Sequence, residues 1–214
     1  MDIKGAVFDM DGLMFDTENL TYKLQKKILA EDGLTFTLDD YKNTIGKRSA
    51  DLPKYFKSLF GEKFSYEDFH QKCRKAFLEY TEKYGVPIKE GLFELLDELK
   101  ARKVKIALST STTSNSALRA LKTAKVSNYF DELVCAEDVS NGKPHPEPFL
   151  KAAEKLKLNP SDCIALEDSL NGIKSAYRAG MITIMVPDLI EPDDEIKEMC
   201  SYILPDLNSV IKLI

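Results

Sequence analysis

The sequence predicts an α/β protein: a doubly wound parallel sheet interrupted, soon after its first strand, by a block of consecutive helices. Three observations carry that expectation. Short apolar runs recur along the chain, segments with helical periodicity lie between them, and one stretch near the N-terminus has helical periodicity with no strand in it.

The first run, Ile3-Lys4-Gly5-Ala6-Val7-Phe8, is apolar and ends in an acidic turn containing glycine, which suits a buried strand. Comparable runs follow at 104–108, 132–135, 163–166 and 182–186. Between them, Leu92, Leu95, Leu96 and Leu99 share one helical face, as do Ala117, Leu118 and Leu121. The same spacing recurs at Phe149, Leu150, Ala153 and Leu156, and at Leu170, Ile173, Ala176 and Tyr177, with Gly180 placed to cap that last helix. Strands alternating with helices of this length make βαβ units, hence a parallel sheet covered on both faces. In such sheets ligands sit beyond the carboxyl ends of the strands.

The stretch 17–84 breaks the alternation. Leu20, Leu24 and Ile28 fall at helical spacing, then Leu52, Tyr55, Phe56 and Leu59, then Phe69, Cys73, Phe77 and Tyr80. Ser65-Tyr66-Glu67-Asp68 resembles an N-terminal capping turn for the last of these helices. The aromatics read as the core of a helix bundle. The expected division is a catalytic core made of 1–15 and 87–214 and a helical domain over 16–86, joined by linkers near 13–16 and 85–91.

Composition excludes several classes. The chain has 214 residues, 43% hydrophobic and 30% charged, as in ordinary globular proteins. Its formal net charge is −5, and it has no basic stripe of the kind that grips a nucleic-acid backbone. Lys26-Lys27 and Lys47-Arg48 are short pairs with acidic neighbours. No apolar run reaches the roughly 20 residues that cross a bilayer, and Met1-Asp2-Ile3-Lys4-Gly5 has no signal-peptide pattern. Cys73, Cys135, Cys163 and Cys200 are widely spaced, which suits small core residues in a reducing compartment. The expectation is a cytoplasmic monomer without nucleic-acid or membrane partners.

Four segments at predicted strand ends carry chemistry. Asp9-Met10-Asp11-Gly12 follows the first strand; two carboxylates two residues apart can point the same way, one as nucleophile and one as acid and base. A plain Asp-Gly turn is the alternative. Ser109-Thr110-Ser111-Thr112 offers hydroxyls and backbone N–H groups for a phosphate, or a helix cap. Lys143, among Pro144, Pro146 and Pro148, is either a fixed point charge or a solvated lysine, and His145 reads as a loop residue. Glu167-Asp168-Ser169 supplies hard oxygen ligands of the kind Mg²⁺ takes, or a cap for the next helix. Together they are the parts that phosphoryl transfer requires.

Read in order, Phe8-Asp9-Met10-Asp11-Gly12-Leu13-Met14-Phe15-Asp16-Thr17-Glu18, Leu108-Ser109-Thr110-Ser111, Gly142-Lys143-Pro144 with Pro146, and Leu166-Glu167-Asp168-Ser169 with Asn171-Gly172 resemble the haloacid dehalogenase-like superfamily, in its β-phosphoglucomutase-like phosphatase branch. The resemblance covers nearly the whole chain. It implies a Rossmann-like core with an inserted four-helix cap, and a Mg²⁺-dependent phosphatase acting on a small phosphorylated metabolite through an aspartyl phosphate. It implies Asp9 as nucleophile and metal ligand, and Asp11 as general acid/base with its carbonyl on the metal. Asp168 would complete the ligands, with Glu167 a ligand or an acid behind them. Thr110, Ser111 and Lys143 would bind the transferring phosphoryl group, and Gly46, Lys47 and Arg48 would lie in the cap loop that meets substrate. The alternative is a hexose-phosphate mutase of the β-phosphoglucomutase type. Against it, Thr21 stands where that mutase has a histidine, and Ser49 where it has an arginine.

Overall fold

The computed structural model describes residues 3–214. Met1 and Asp2, which open the N-terminal segment read above, lie outside the described residues. In chain order the first elements are β1 (Gly5–Phe8), α1 (Thr17–Glu31), α2 (Leu38–Lys42), α3 (Leu52–Phe60), α4 (Tyr66–Tyr84), α5 (Leu92–Ala101) and β2 (Lys105–Ser109). They are followed by α6 (Ser114–Thr123), β3 (Glu132–Val134), α7 (Glu147–Leu156), β4 (Cys163–Glu167), α8 (Leu170–Arg178) and β5 (Ile182–Met185). The chain closes with α9 (Asp194–Met199), β6 (Tyr202–Ile203) and α10 (Leu207–Ile211). It forms two units, one running to Asp16 and resuming as Val86–Ile214, the other Thr17–Gly85.

In the first unit the six strands form one sheet in the order β3-β2-β1-β4-β5-β6, with every neighbouring pair parallel. The α/β class and the parallel sheet are those expected from the alternation. The period-2 geometry of a strand sends successive side chains to opposite faces. Ala6, Phe8, Ile106, Leu108, Ile164 and Leu166 pack with Leu92, Leu95, Leu96 and Leu99 of α5. Val7, Ala107 and Ala165 pack with Phe149, Ala152, Ala153 and Leu156 of α7. Both faces are therefore buried, which is why the strands read as continuous apolar runs.

The order in which strands are added to the sheet reverses at β1. From β1 the chain fills the β2 side of the sheet, then returns to place β4 on the other side. Phe8 is level with both Leu108 and Leu166, so the residues that follow, Asp9, Ser109 and Glu167, emerge level at the carboxyl edge. That is the switch point where ligands bind in such sheets.

The C-terminal elements are absent from the sequence reading. Helices α9 and α10 have 6 and 5 residues, too short to show a periodicity, and β6 is a two-residue, exposed edge strand. Their caps are nevertheless specific: Asp193 accepts from the Ile196 N–H and Asp206 from the Ser209 N–H.

The second unit is built on aromatic packing. Phe56, 2% exposed, lies with its ring centroid 5.0 Å from Phe69, 5.7 Å from Phe36 and 6.0 Å from Phe64. Ser65 caps α4 by accepting from the Asp68 N–H, and Thr37 and Asp40 form a reciprocal capping box on α2. Truncating Phe56 removes the ring that the others share. Phe56→Ala is expected to cost about 3–5 kcal/mol, seen as a lowered denaturant midpoint by circular dichroism; a loss under about 1 kcal/mol would contradict this packing.

Candidate active site

The site begins at the carboxyl end of β1. The Asp9 N–H donates to the Leu166 carbonyl at 3.0 Å, extending the ladder one residue past the strand and fixing the Asp9 backbone. The chain then turns tightly: Met14 and Phe15 both donate to the Met10 carbonyl, and Gly12 donates to the Phe15 carbonyl. Gly12 has φ +85°, and a Cβ there would lie 2.1 Å from Asp168 Oδ2, so glycine is required by backbone and by space.

Lys143 reaches this edge from the loop between β3 and α7. Its side chain is 7% exposed, and its Nζ donates to Asp9 Oδ1 at 2.5 Å, Glu167 Oε1 at 2.6 Å and the Ser109 carbonyl at 2.9 Å. It also lies 5.0 Å from the centre of the Phe149 ring. The loop is tied down around it. Glu147 accepts from the Ser140 and Asn141 N–H groups, Ser175 Oγ donates to the His145 carbonyl, and Arg178 donates to the Pro144 carbonyl. The Lys143–Pro144 peptide is cis.

Glu167 closes β4 and is fully buried. Its Oε1 receives Lys143, and its Oε2 receives the Asp168 N–H, the Ser169 N–H and Ser169 Oγ at 2.9–3.1 Å. Ser169 also caps α8, accepting from the Gly172 N–H. A Cβ on Gly172 would stand 1.8 Å from the Glu167 carboxyl, so that glycine makes room for the acid. Asp9, Glu167 and Asp168 each offer a carboxylate oxygen within 4.8 Å of the others. Asp168 Oδ1 is buried with no hydrogen-bond partner. Three converging acids, one with an orphaned oxygen, are a donor set of the hard-oxygen type that fits a divalent cation.

The electrostatics agree. Burial raises the Asp9 carboxyl from an ordinary 3.8 to about 7; Lys143 opposes that rise and Glu167 adds to it. Burial raises Asp168 well above the usual carboxylate range, with Glu167 and Asp9 adding to the effect. Burial alone would lower Lys143, but Asp9 and Glu167 outweigh it and hold the ammonium charged. One lysine offsets only part of the acids' charge, and a bound cation would relieve the rest.

Beyond β2, Thr110 is buried and its N–H donates to the Val134 carbonyl, whereas Ser111 is exposed. As the sequence suggested, these hydroxyls precede a helix: α6 starts at Ser114, whose N–H is taken by Glu137 Oε2 at 3.0 Å, and the segment 110–113 before it is a short turn. Asp11 is held across this turn by Thr112 Oγ1, which donates to its Oδ2 at 2.8 Å.

Gly46, Lys47 and Arg48 lie in the helical unit. Gly46 has φ +77°, Lys47 sits 5.4 Å from the centre of the Tyr55 ring, and Arg48 pairs with Asp51 at 2.8 Å on the surface. Sequence reasoning offered Asp168 or Ser169 as a helix cap, and Ser169 is that cap. It counted Thr112 among the phosphate-cradle hydroxyls but missed its bond to Asp11, and it missed that Gly172 makes room for Glu167. It also missed Lys89, which pairs with Asp188 at 2.5 Å and Asp16 at 3.5 Å. Those partners are distant in sequence and leave no local signal.

The family model described as "Haloacid dehalogenase-like hydrolase" matches residues 6–186. A "Probable pseudouridine-5'-phosphatase" of Drosophila melanogaster is 35% identical over 86% of this chain and 81% of its own length. A "Phosphorylated carbohydrates phosphatase" of Thermotoga maritima is 32% identical over 84% of this chain and 82% of its own. The crystal structure of β-phosphoglucomutase from Clostridium difficile superposes with a TM-score of 0.72 at 24% identity, over 97% of this chain and 93% of that one, a likeness of fold. With the motifs at the carboxyl edge of the sheet and a family match over most of its length, this chain belongs to the haloacid dehalogenase-like hydrolases, in their β-phosphoglucomutase-like phosphatase branch.

Proposed function

We propose that this chain is a Mg²⁺-dependent phosphatase that hydrolyses small phosphorylated metabolites of the sugar-phosphate or nucleoside-monophosphate type through a phosphoryl group carried on Asp9. The observation that carries the reading is the buried Asp9 carboxylate, held by Lys143 and set against Asp168 and Glu167 at the sheet's switch point. The relatives named as phosphatases of phosphorylated carbohydrates and of pseudouridine 5′-phosphate support that substrate range.

Asp9 attacks phosphorus, forming an acyl–phosphate bond as the ester P–O bond breaks. Asp11 gives a proton to the departing oxygen, then takes one from the water that cleaves the acyl phosphate and restores Asp9. Lys143 balances charge on the phosphoryl oxygens and on Asp9, while Thr110 and Ser111 supply donors to those oxygens. Mg²⁺, when bound, neutralises further charge on the phosphoryl group. Asp9 and Asp168, with the Asp11 carbonyl, are the groups to hold it. Glu167, both of whose oxygens are already engaged, backs them from behind. The helical unit acts as the cap that selects substrate, with Gly46, Lys47 and Arg48 in its substrate-facing loop. Thr21 and Ser49, in place of the mutase's histidine and arginine, favour handing the phosphoryl group to water over a second sugar hydroxyl.

Asp9→Asn is expected to lower Mg²⁺-dependent phosphate release from p-nitrophenyl phosphate about a thousandfold or more. Full activity in that variant would overturn the mechanism. Conversion of β-glucose 1-phosphate to glucose 6-phosphate outpacing phosphate release would favour the mutase reading.

Metal binding has a second signature in stability. Because Asp9 is raised from 3.8 to about 7 in the fold, ionising it penalises the folded state. That penalty is absent below about pH 4 and complete above about pH 7. Mg²⁺ binds the ionised form and removes the penalty. Thermal melts are expected to show a larger Mg²⁺-induced rise in Tm at about pH 8 than at about pH 5.5. Equal rises at both would contradict ligation by Asp9.

A further inference from the structure

We propose that Thr112 is a positioning residue for the proton transfer assigned to Asp11, fixing that carboxyl relative to the hydroxyl of Thr110. The inference rests on the phosphatase reading above and adds to it a residue that the motif comparison leaves without a role.

Three contacts immobilise Thr112. Its N–H donates to Thr110 Oγ1 at 3.1 Å, its carbonyl accepts from the Ala136 N–H at 3.1 Å, and its Oγ1 donates to Asp11 Oδ2 at 2.8 Å. Its β-branched side chain adds stiffness at χ1. Asp11 lies beyond β1, in a turn whose backbone is locked by hydrogen bonds among Met10, Gly12, Met14 and Phe15. That turn fixes the Asp11 backbone but does not by itself choose the rotamer of its side chain. Thr112 Oγ1 bonds that side chain from across the edge of the sheet, and the same residue is anchored to Thr110, one of the phosphoryl donors proposed above. The acid and the phosphate hydroxyl are thus set through one short turn.

The chemistry of the contact suits a group that must alternate between acid and base. A hydroxyl donates to a carboxylate and accepts from a carboxylic acid, so the link to Asp11 survives both protonation states. An ammonium or amide donor in that place would favour the carboxylate alone.

A misplaced general acid has a diagnostic consequence. Phosphorylation of Asp9 by an alkyl phosphate needs a proton on the departing alkoxide, whereas the leaving group of p-nitrophenyl phosphate departs well without one. The ratio kcat/KM reports that first transfer for both substrates. With Mg²⁺ present, Thr112→Val is expected to lower kcat/KM for glycerol 1-phosphate about tenfold or more, and that for p-nitrophenyl phosphate less than about threefold. Thr112→Ser, which keeps the hydroxyl, should restore the alkyl value to within about threefold of wild type. Thr112→Ala replaces the valine variant if the latter does not fold by circular dichroism. An active wild type in which the truncated variant loses both substrates equally, or loses neither, overturns the proposal, as does a loss that serine does not rescue. A wild type with no Mg²⁺-dependent phosphate release overturns the phosphatase reading, and this proposal with it.

Discussion

The site depends on one buried cation. Lys143, 7% exposed, is pressed between Asp9 and Glu167 and finds a third acceptor in the Ser109 carbonyl. Taking an ammonium and two carboxylates out of water carries a large desolvation cost, which close contact and full hydrogen bonding must offset. The structure meets that condition for Lys143 and Glu167, whose polar atoms are all engaged. Asp168 is the exception: its Oδ1 is buried without a partner. The imbalance, three acids around one lysine, makes the cluster incomplete as an ion network and well matched to a divalent cation.

The sheet makes that arrangement possible. Because Phe8, Leu108 and Leu166 share one level, Asp9, Ser109 and Glu167 leave their strands together, and no long loop is needed to gather them. Lys143 is the only member of the cluster that comes from a longer connection, and its loop is held by Glu147, Ser175 and Arg178. Close packing imposes its own demands. Gly12 and Gly172 are required because Asp168 and Glu167 occupy the space a Cβ would need. A catalytic group on a short, hydrogen-bonded turn keeps its geometry at little entropic cost during reaction.

Much of this was legible in the sequence. Runs buried on both faces announce parallel strands, so β1 to β5 were visible to within two residues at each end. Asp9, Asp11, Glu167 and Asp168 stood out as acids directly after strands and Lys143 as a cation among prolines; each alone also suited a turn, a cap or a solvated loop, and it was their combination that pointed to one site. What could not be read was of two kinds. Helices α9 and α10 and strand β6 are too short for a period, and tertiary packing around Ile196, Leu207 and Val210 defines them instead. The contacts of Thr112 with Asp11 and of Lys89 with Asp188 join residues about a hundred positions apart, and local pattern is blind to those. The bond from the first N–H of α6 to Glu137, which lies beyond β3, escaped for a related reason.

The central claim is that a phosphoryl group passes through Asp9. Its most direct test is to quench the enzyme with acid during turnover of a phosphorylated substrate, reduce with borohydride, and locate the product by tandem mass spectrometry. An acyl phosphate is reduced to the alcohol, so the account predicts homoserine at position 9, formed only when substrate and Mg²⁺ are both present. Rapid turnover with no conversion at position 9, or with conversion at another carboxylate, would contradict it.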